Sequence, residues 1–334
     1  MKLRDIGEFG FIERVASLCG IRRHGVVKGI GDDCAVISTD DGSYLLVTTD
    51  LLVERIHFLL SSTPPEMLGA KSLAVNLSDI AACGGTPLDA WIGLAVPERV
   101  GVEWLDAFYE GMTDLARTWN VNLLGGDTSA SMQDLMISVT VTGKVLPSEL
   151  LLRNTARVGD LIVLTGRVGD SAAGLLLLSG AAAPGLSPEA REILVRAHLS
   201  PMPHIRAGRF LASSAACTAA IDVSDGLSSD LWHICRQSGL GAVVVEDRVP
   251  ISEEIIAAAS IADPLHLAMN GGEDYVLLAT VNPDMAADLF KRAENAGISL
   301  WPIGRLTEGP HVILERRDGS SLPLTPSGWN HFSA

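Results

Sequence analysis

The sequence predicts a folded protein of two domains that mixes strands with helices, and three observations carry that prediction. The chain has 334 residues, about twice the length of an ordinary domain. Apolar residues make up 47% and charged residues 19%, a balance that supports a real core and excludes a disordered chain. Apolar strand-like runs and helical runs alternate with loops in which glycine stands beside aspartate or glutamate.

The first element pair lies in Gly29–Leu52, "GIGDDCAVISTDDGSYLLVTTDLL". "STDDGS" is turn chemistry between two strands, because Asp and Gly tolerate left-handed backbone. Asp32, Asp33 and Asp50 lack that explanation: they interrupt apolar sequence, where a carboxylate is costly unless compensated. Next, Lys71–Leu88 places Leu73, Leu77, Ile80 and Ala81 at helical spacing. This predicts an amphipathic helix that ends at Gly84, Gly85 and Pro87, with Asn76 and Asp79 on one face. Val121–Ser131 predicts a short apolar strand running into Gly-Gly-Asp-Thr. "LTGRVGDSAAG" predicts a glycine turn at a helix start, and the apolar stretch beyond it is broken well short of a membrane span. Ala219–Leu231 carries Asp222, Asp225 and Asp230, and Ser224 or Asp225 could simply N-cap the helix that follows. Met269–Thr280 predicts a Gly-Gly-Glu-Asp turn into an alternating strand.

Composition removes several function classes. The net charge is −15 with no Lys/Arg cluster, which disfavours nucleic acid and anionic membrane as partners. The N-terminus has no long apolar run of the secretory kind. Five cysteines without a C-x-x-C pair predict free thiols, mostly small core residues, in a reducing cytoplasm.

What remains unexplained is the acids, each joined to glycine or to Ser/Thr. Carboxylates that converge from several loops repel one another unless a hard cation neutralises them. Oxygen donors with few histidines point to Mg²⁺, held by carboxylates and substrate phosphates. The familiar phosphate loops are missing. No G-x-x-x-x-G-K-[ST] occurs, and "GIGDDC" has Cys34 where a dinucleotide fold needs its third glycine. Kinase H-R-D and D-F-G signatures and an EF-hand register also fail. A metal-bridged phosphate site of another architecture is left.

Eight pieces in order, "GIGDDCAVI", "TTDLLVERIHF", "KSLAVNLSDIAACGGTPL", "GGDTS", "GDSAAGL", "DVSDGL", "GGEDY" and "GWNHF", closely resemble the thiamine-monophosphate kinase family. Its wider superfamily includes aminoimidazole ribonucleotide synthetase, selenophosphate synthetase and the hydrogenase-maturation dehydratase. The resemblance implies an α/β (α+β) fold: an N-terminal α/β domain that dimerises through its sheet, and a C-terminal domain with a mixed α/β sheet. The boundary is expected between 148 and 149, giving domains 1–148 and 149–334. It also implies a cytoplasmic homodimer that phosphorylates thiamine monophosphate to thiamine diphosphate with ATP and several Mg²⁺ ions.

Carried over residue by residue, the resemblance makes Asp33 the first-loop metal ligand, with Asp32 its neighbour, and Thr48, Thr49 and Asp50 a second metal-binding loop. Asp79 becomes the bridging carboxylate, Gly126 and Asp127 the nucleotide and metal loop, and Asp222, Ser224 and Asp225 the metal and ATP contacts of the second domain. Asp50, Asp79 and Asp127 are then the catalytic set, while Arg153 and Tyr109 contact ATP. His57, Glu273 and Trp329 face the substrate, although Trp329 could equally cover the core and His57 could be an ordinary hydrogen-bonded histidine. Such a kinase needs no general base, since the acceptor phosphate is already ionised, and transfer rests on positioning and charge neutralisation. The rival readings are another ATP-dependent enzyme of the superfamily and a catalytically silent Mg²⁺–nucleotide module.

Overall fold

The structure, a computed structural model, describes residues 2–21 and 24–328. Its first sheet is built from β1 (Val26–Lys28), β2 (Ala35–Ser38), β3 (Tyr44–Val53), β4 (Thr86–Pro97), β5 (Asn122–Ser131) and β6 (Met136–Val145). The strand order is β1-β2-β3-β6-β4-β5, antiparallel except for β4 beside β5. Helices α1 (Gly7–Cys19), α2 (Pro65–Ala82) and α3 (Val102–Trp119) belong to this half of the chain.

The second sheet holds β7 (Leu161–Leu164), β8 (Cys217–Asp222), β9 (Gly241–Val245), β10 (Leu277–Val281), β11 (Trp301–Thr307), β12 (Val312–Glu315) and β13 (Ser321–Pro323). Their order is β13-β12-β9-β11-β7-β10-β8. Its helices are α4 (Asp170–Leu178), α5 (Pro188–Leu199), α6 (Ile205–Ser213), α7 (Leu227–Ser238), α8 (Glu253–Ala257), α9 (Pro264–Asn270) and α10 (Pro283–Asn295). The mixed α/β character expected from the sequence is therefore present in both halves.

Helix α2 organises the molecule. The sequence predicts it as amphipathic, but Leu68, Leu73, Ala74, Leu77, Ser78, Ile80 and Ala81 are all buried, so it has no solvent stripe. The reason is that α2 packs on the first sheet, on α3, on α6 and on β8 of the second sheet at once. Its contact with α3 is a backbone contact: a Cβ on Gly69 would stand 1.8 Å from the Phe108 carbonyl oxygen, and one on Gly111 1.9 Å from that of Glu66. Only glycine fits there.

Three other expectations change. The segment 122–131 does not end at its glycines; it continues as a strand through Gly125, Gly126 and Asp127, held by parallel pairing with β4. Strand β10 does not alternate. It lies between β7 and β8 and is buried at every position, because a strand covered on both faces needs no polar side. Residues 48–50 form no loop but the middle of β3, paired with Val141, Thr140 and Val139 of β6. Strand β6 alternates, with Ile137, Val139 and Val141 buried on the α2 side. The other face of the first sheet, carrying Leu51 and Trp91, is left partly open.

Candidate active site

The loop before β2, strand β3, the end of β8 and helix α2 bring the acids together. Asp33 lies in the loop before β2, Asp50 on β3, Asp79 near the end of α2 and Asp222 at the last position of β8. Carboxylate oxygens of Asp33, Asp79 and Asp222 all lie within 4.8 Å of one another. Neighbouring hydroxyls fix their directions: Thr48 Oγ1 donates to Asp79 at 2.5 Å, and Ser78 Oγ donates to Asp222 at 2.7 Å. Asn76 works beside them from the same helix face, accepting the Asp50 amide at 3.1 Å. One helix thus serves both sheets.

The cluster is electrostatically unbalanced. Burial, reinforced by Asp33, pushes the Asp50 carboxyl up to about 6 and Asp222 to about 8. Asp79 is pushed well above its ordinary range by burial and then by Asp50, Asp222 and Asp33. Two cations answer part of this charge. Arg153 binds Asp33 in a fork, Nη2 at 2.5 Å and Nε at 3.2 Å. Burial works against the Arg153 charge, and Asp33 more than restores it. Lys28 stands 3.2 Å from Asp32, whose carboxyl burial and Asp33 raise to about 6. Such an excess of acids could hold a cation: the donors that converge from Asp33, Asp79 and Asp222 are carboxylate oxygens, the set that suits Mg²⁺.

The second half contributes two loops. Asp230, not Asp225 or Ser224, ties the turn before α7, accepting the amides of Asp225 at 3.2 Å and Gly226 at 3.1 Å. Asp225 is thereby left out of the cap, and burial with Glu8 raises it to about 6. The Gly-Gly-Glu-Asp loop abuts this turn. A Cβ on Gly272 would stand 2.6 Å from the Ser224 carbonyl oxygen, and the Glu273 amide donates to that same oxygen at 2.7 Å. Glu273 is ionised against Lys71, 3.1 Å away, and His198, 3.2 Å away. Burial pushes its carboxyl up, but Lys71 and His198 outweigh that and hold it below its ordinary value. His57 accepts the Val53 amide on Nδ1 at 3.0 Å, which leaves its ring hydrogen on Nε2.

Not every residue singled out in the sequence joins this group. The Thr49 hydroxyl lies across the sheet from Thr48, 2.9 Å from Thr140 Oγ1, because neighbours on a strand point to opposite faces. Asp127 is exposed on the edge strand β5, paired with Gly93, on the face that looks away from α2. Gly126 pairs with Ile92 of β4, so close that a Cβ would stand 1.7 Å from its carbonyl oxygen. Tyr109 sits on α3, edge-on to Phe108 at 5.5 Å. Trp329 lies outside the described residues.

The architecture has known counterparts. Residues 31–145 match the AIR synthase related protein N-terminal domain, and residues 157–317 match the corresponding C-terminal domain. Thiamine-monophosphate kinase of Bacillus subtilis is 35% identical over 318 residues, covering 93% of this chain and 95% of its own. That of Escherichia coli is 36% identical over 98% of both chains. This chain belongs to the thiamine-monophosphate kinase family. A solved structure, AaThiL complexed with AMPPCP and TMP, superposes with a TM-score of 0.85 at 33% identity over 99% of both chains.

Motif inspection passes over several residues that hold the acids in place: Lys71 and His198 contact Glu273, Ser78 donates to Asp222, and Ser171 and Asp274 stand behind His198 and the Gly169 turn. For Lys71 a signal existed: a single lysine among Leu68, Leu73, Ala74 and Val75 has no solvent to reach.

Proposed function

We propose that this chain transfers the γ-phosphoryl group of ATP directly to the phosphate of thiamine monophosphate, giving thiamine diphosphate. The observation that carries the reading is the convergence of Asp33, Asp79 and Asp222 within the fold of enzymes that bear this activity in their name. Asp33, Asp50, Asp79, Asp222 and Asp225, with the Thr48 hydroxyl, would hold Mg²⁺. Thr49, whose hydroxyl meets Thr140 on the other face of β3, would offer no side-chain oxygen to it. Mg²⁺, when bound, offsets the charge of the two polyanions that the reaction must bring together.

The chain's own residues do the rest by position. Arg153 sits at the mouth of the acids with a planar fork that suits phosphate as well as carboxylate. It serves ATP, together with Ser224, Gly126, Asp127 and Tyr109. The resemblance gives His57, Glu273 and Trp329 the acceptor side, where a carboxylate and an aromatic ring suit a cationic ring system. The domains would be 1–148 and 149–334; β6 ends at Val145 and β7 begins at Leu161, with Arg153 on the connection reaching back to Asp33. The open face of the first sheet would pair with a second copy, and a mass of two chains in light scattering at micromolar concentration tests that. The enzyme would work in the cytoplasm; among the described residues no helix is long and apolar enough to cross a membrane.

The test of function is ADP release in the presence of Mg²⁺. Release that depends on thiamine monophosphate supports the kinase, whereas tight ATP binding without turnover supports a silent nucleotide module.

A further inference from the structure

Lys71 is 1% exposed, and a lysine in such a place needs partners. Its ammonium has two, and both come from the other half of the chain: Glu273 Oε1 at 3.1 Å and the His198 carbonyl oxygen at 3.1 Å. The second Glu273 oxygen lies 3.2 Å from His198 Nδ1, and that ring nitrogen is also 3.1 Å from Ser171 Oγ. Both oxygens of Glu273 are therefore held from outside its own loop. The loop itself is bent, with Glu273 at φ 65° and Tyr275 at φ 52°, left-handed backbone that surrounding contacts must enforce. Yet the Glu273 side chain keeps 24% of its surface exposed, so it is not sealed inside the protein.

We propose that Lys71 is a positioning residue for the acceptor: it holds the ionised Glu273 carboxylate in one orientation against the cationic ring of the substrate. The inference rests on the reading of Glu273 as the acceptor-side acid. Helix geometry gives it a second consequence. Asp79 lies eight residues beyond Lys71 on α2, about 12 Å along the axis. One rigid helix thus sets the separation between the acids that serve phosphoryl transfer and the acid that faces the ring.

Three variants, Lys71→Met, Glu273→Gln and the double variant, test this by steady-state kinetics with each substrate varied in turn. Lys71→Met should raise the KM for thiamine monophosphate about 10- to 100-fold while the KM for ATP stays within about twofold. In the Glu273→Gln background the same change should alter the acceptor KM by less than about twofold, since its partner charge is gone. A merely structural lysine would move both KM values and add its effect to that of Glu273→Gln, and that result overturns the proposal. Should Lys71→Met fail to fold, the double variant, which leaves no unpaired charge, decides. Matching Glu273→Gln supports the proposal, and an acceptor KM about tenfold worse than Glu273→Gln overturns it. If Glu273→Gln raises the acceptor KM and Lys71→Met does not, the positioning role alone is wrong. If Glu273→Gln leaves the acceptor KM unchanged, the reading of Glu273 falls and takes the proposal with it.

Discussion

Replacing Asp222 by asparagine should stabilise the cation-free protein while nearly abolishing turnover. Asp222 is 2% exposed, accepts the Ser78 hydroxyl, and otherwise faces other acids, with the Arg153 guanidinium offsetting them in part. Burial and then Asp33 move its pKa from an ordinary 3.8 to about 8. A carboxyl raised in this way holds its proton in the folded chain and loses it in the unfolded one between those two values. Its contribution to stability therefore falls as the pH climbs from 3.8 towards about 8. At about 1.36 kcal/mol per pH unit the ceiling at pH 8 is about 5 kcal/mol, and an effective dielectric nearer 20 than 4 brings this to about 2 kcal/mol. Asparagine keeps the shape and can still accept from Ser78, but it carries no charge. In EDTA at pH 8 the variant should melt about 3 °C above the parent by scanning calorimetry. At pH 5, where the folded parent is already protonated at Asp222, the gap should shrink to about 1–2 °C. Saturating Mg²⁺ should reverse the order, because the parent gains about 2.7 kcal/mol at a hundredfold excess over Kd and the variant loses most of that. A variant that melts below the parent at pH 8 without cation would refute the reasoning, since Asp222 would then be a structural acid.

The same arrangement gives further expectations. Asp79→Asn should lower kcat by about three powers of ten or more with an unchanged circular dichroism spectrum; retention of most activity at low Mg²⁺ would contradict its place in the cluster. Thr48→Val removes the hydroxyl that donates to Asp79 and should raise the Mg²⁺ concentration for half-maximal activity about tenfold, the worth of one hydrogen bond to a charged group. Because Asp50 and Asp222 are raised to about 6 and about 8, protons compete with the cation. The Mg²⁺ requirement should fall as the pH rises from about 6 to about 8, and a flat profile would count against ionised carboxylates as the ligands.

How much of this could be read from the chain differs residue by residue. Asp33 and Asp50 stood out because each interrupts apolar sequence, where burial of an uncompensated charge demands a reason; Asp79 stood out beside Asn76 on a helix face, and Asp222 took its role from the family resemblance. The triplet Thr48-Thr49-Asp50 looked like a ligand loop, yet the extended pairing of β3 carries on to Val53. Period-two alternation then allows only Thr48 and Asp50 on one face. That Asp230 and not Asp225 satisfies the turn amides depends on the geometry at the start of α7, which spacing does not determine. The full burial of α2 was illegible for a different reason. Apolar spacing marks one face of a helix, and nothing local says that a second sheet and two helices will cover the others. Lys71 was missed with it, since its partners Glu273 and His198 lie far along the chain. Asp127 and Tyr109 take their roles from the family resemblance, and their positions on β5 and α3 do not bring them to the acid cluster of a single chain.

The central claim is direct transfer between two phosphates, and labelled product tests it most directly. The enzyme is mixed with γ-³²P-ATP and Mg²⁺, first without and then with thiamine monophosphate, and both the protein and the small molecules are separated after denaturation. Direct transfer needs no group of the protein to carry the phosphoryl, because holding both phosphates on one set of acids and their cation would supply the proximity that a covalent step provides elsewhere. The account therefore predicts no protein-bound label in the first step and stoichiometric label in thiamine diphosphate in the second. Label released only as inorganic phosphate, whether or not the acceptor is present, would contradict it.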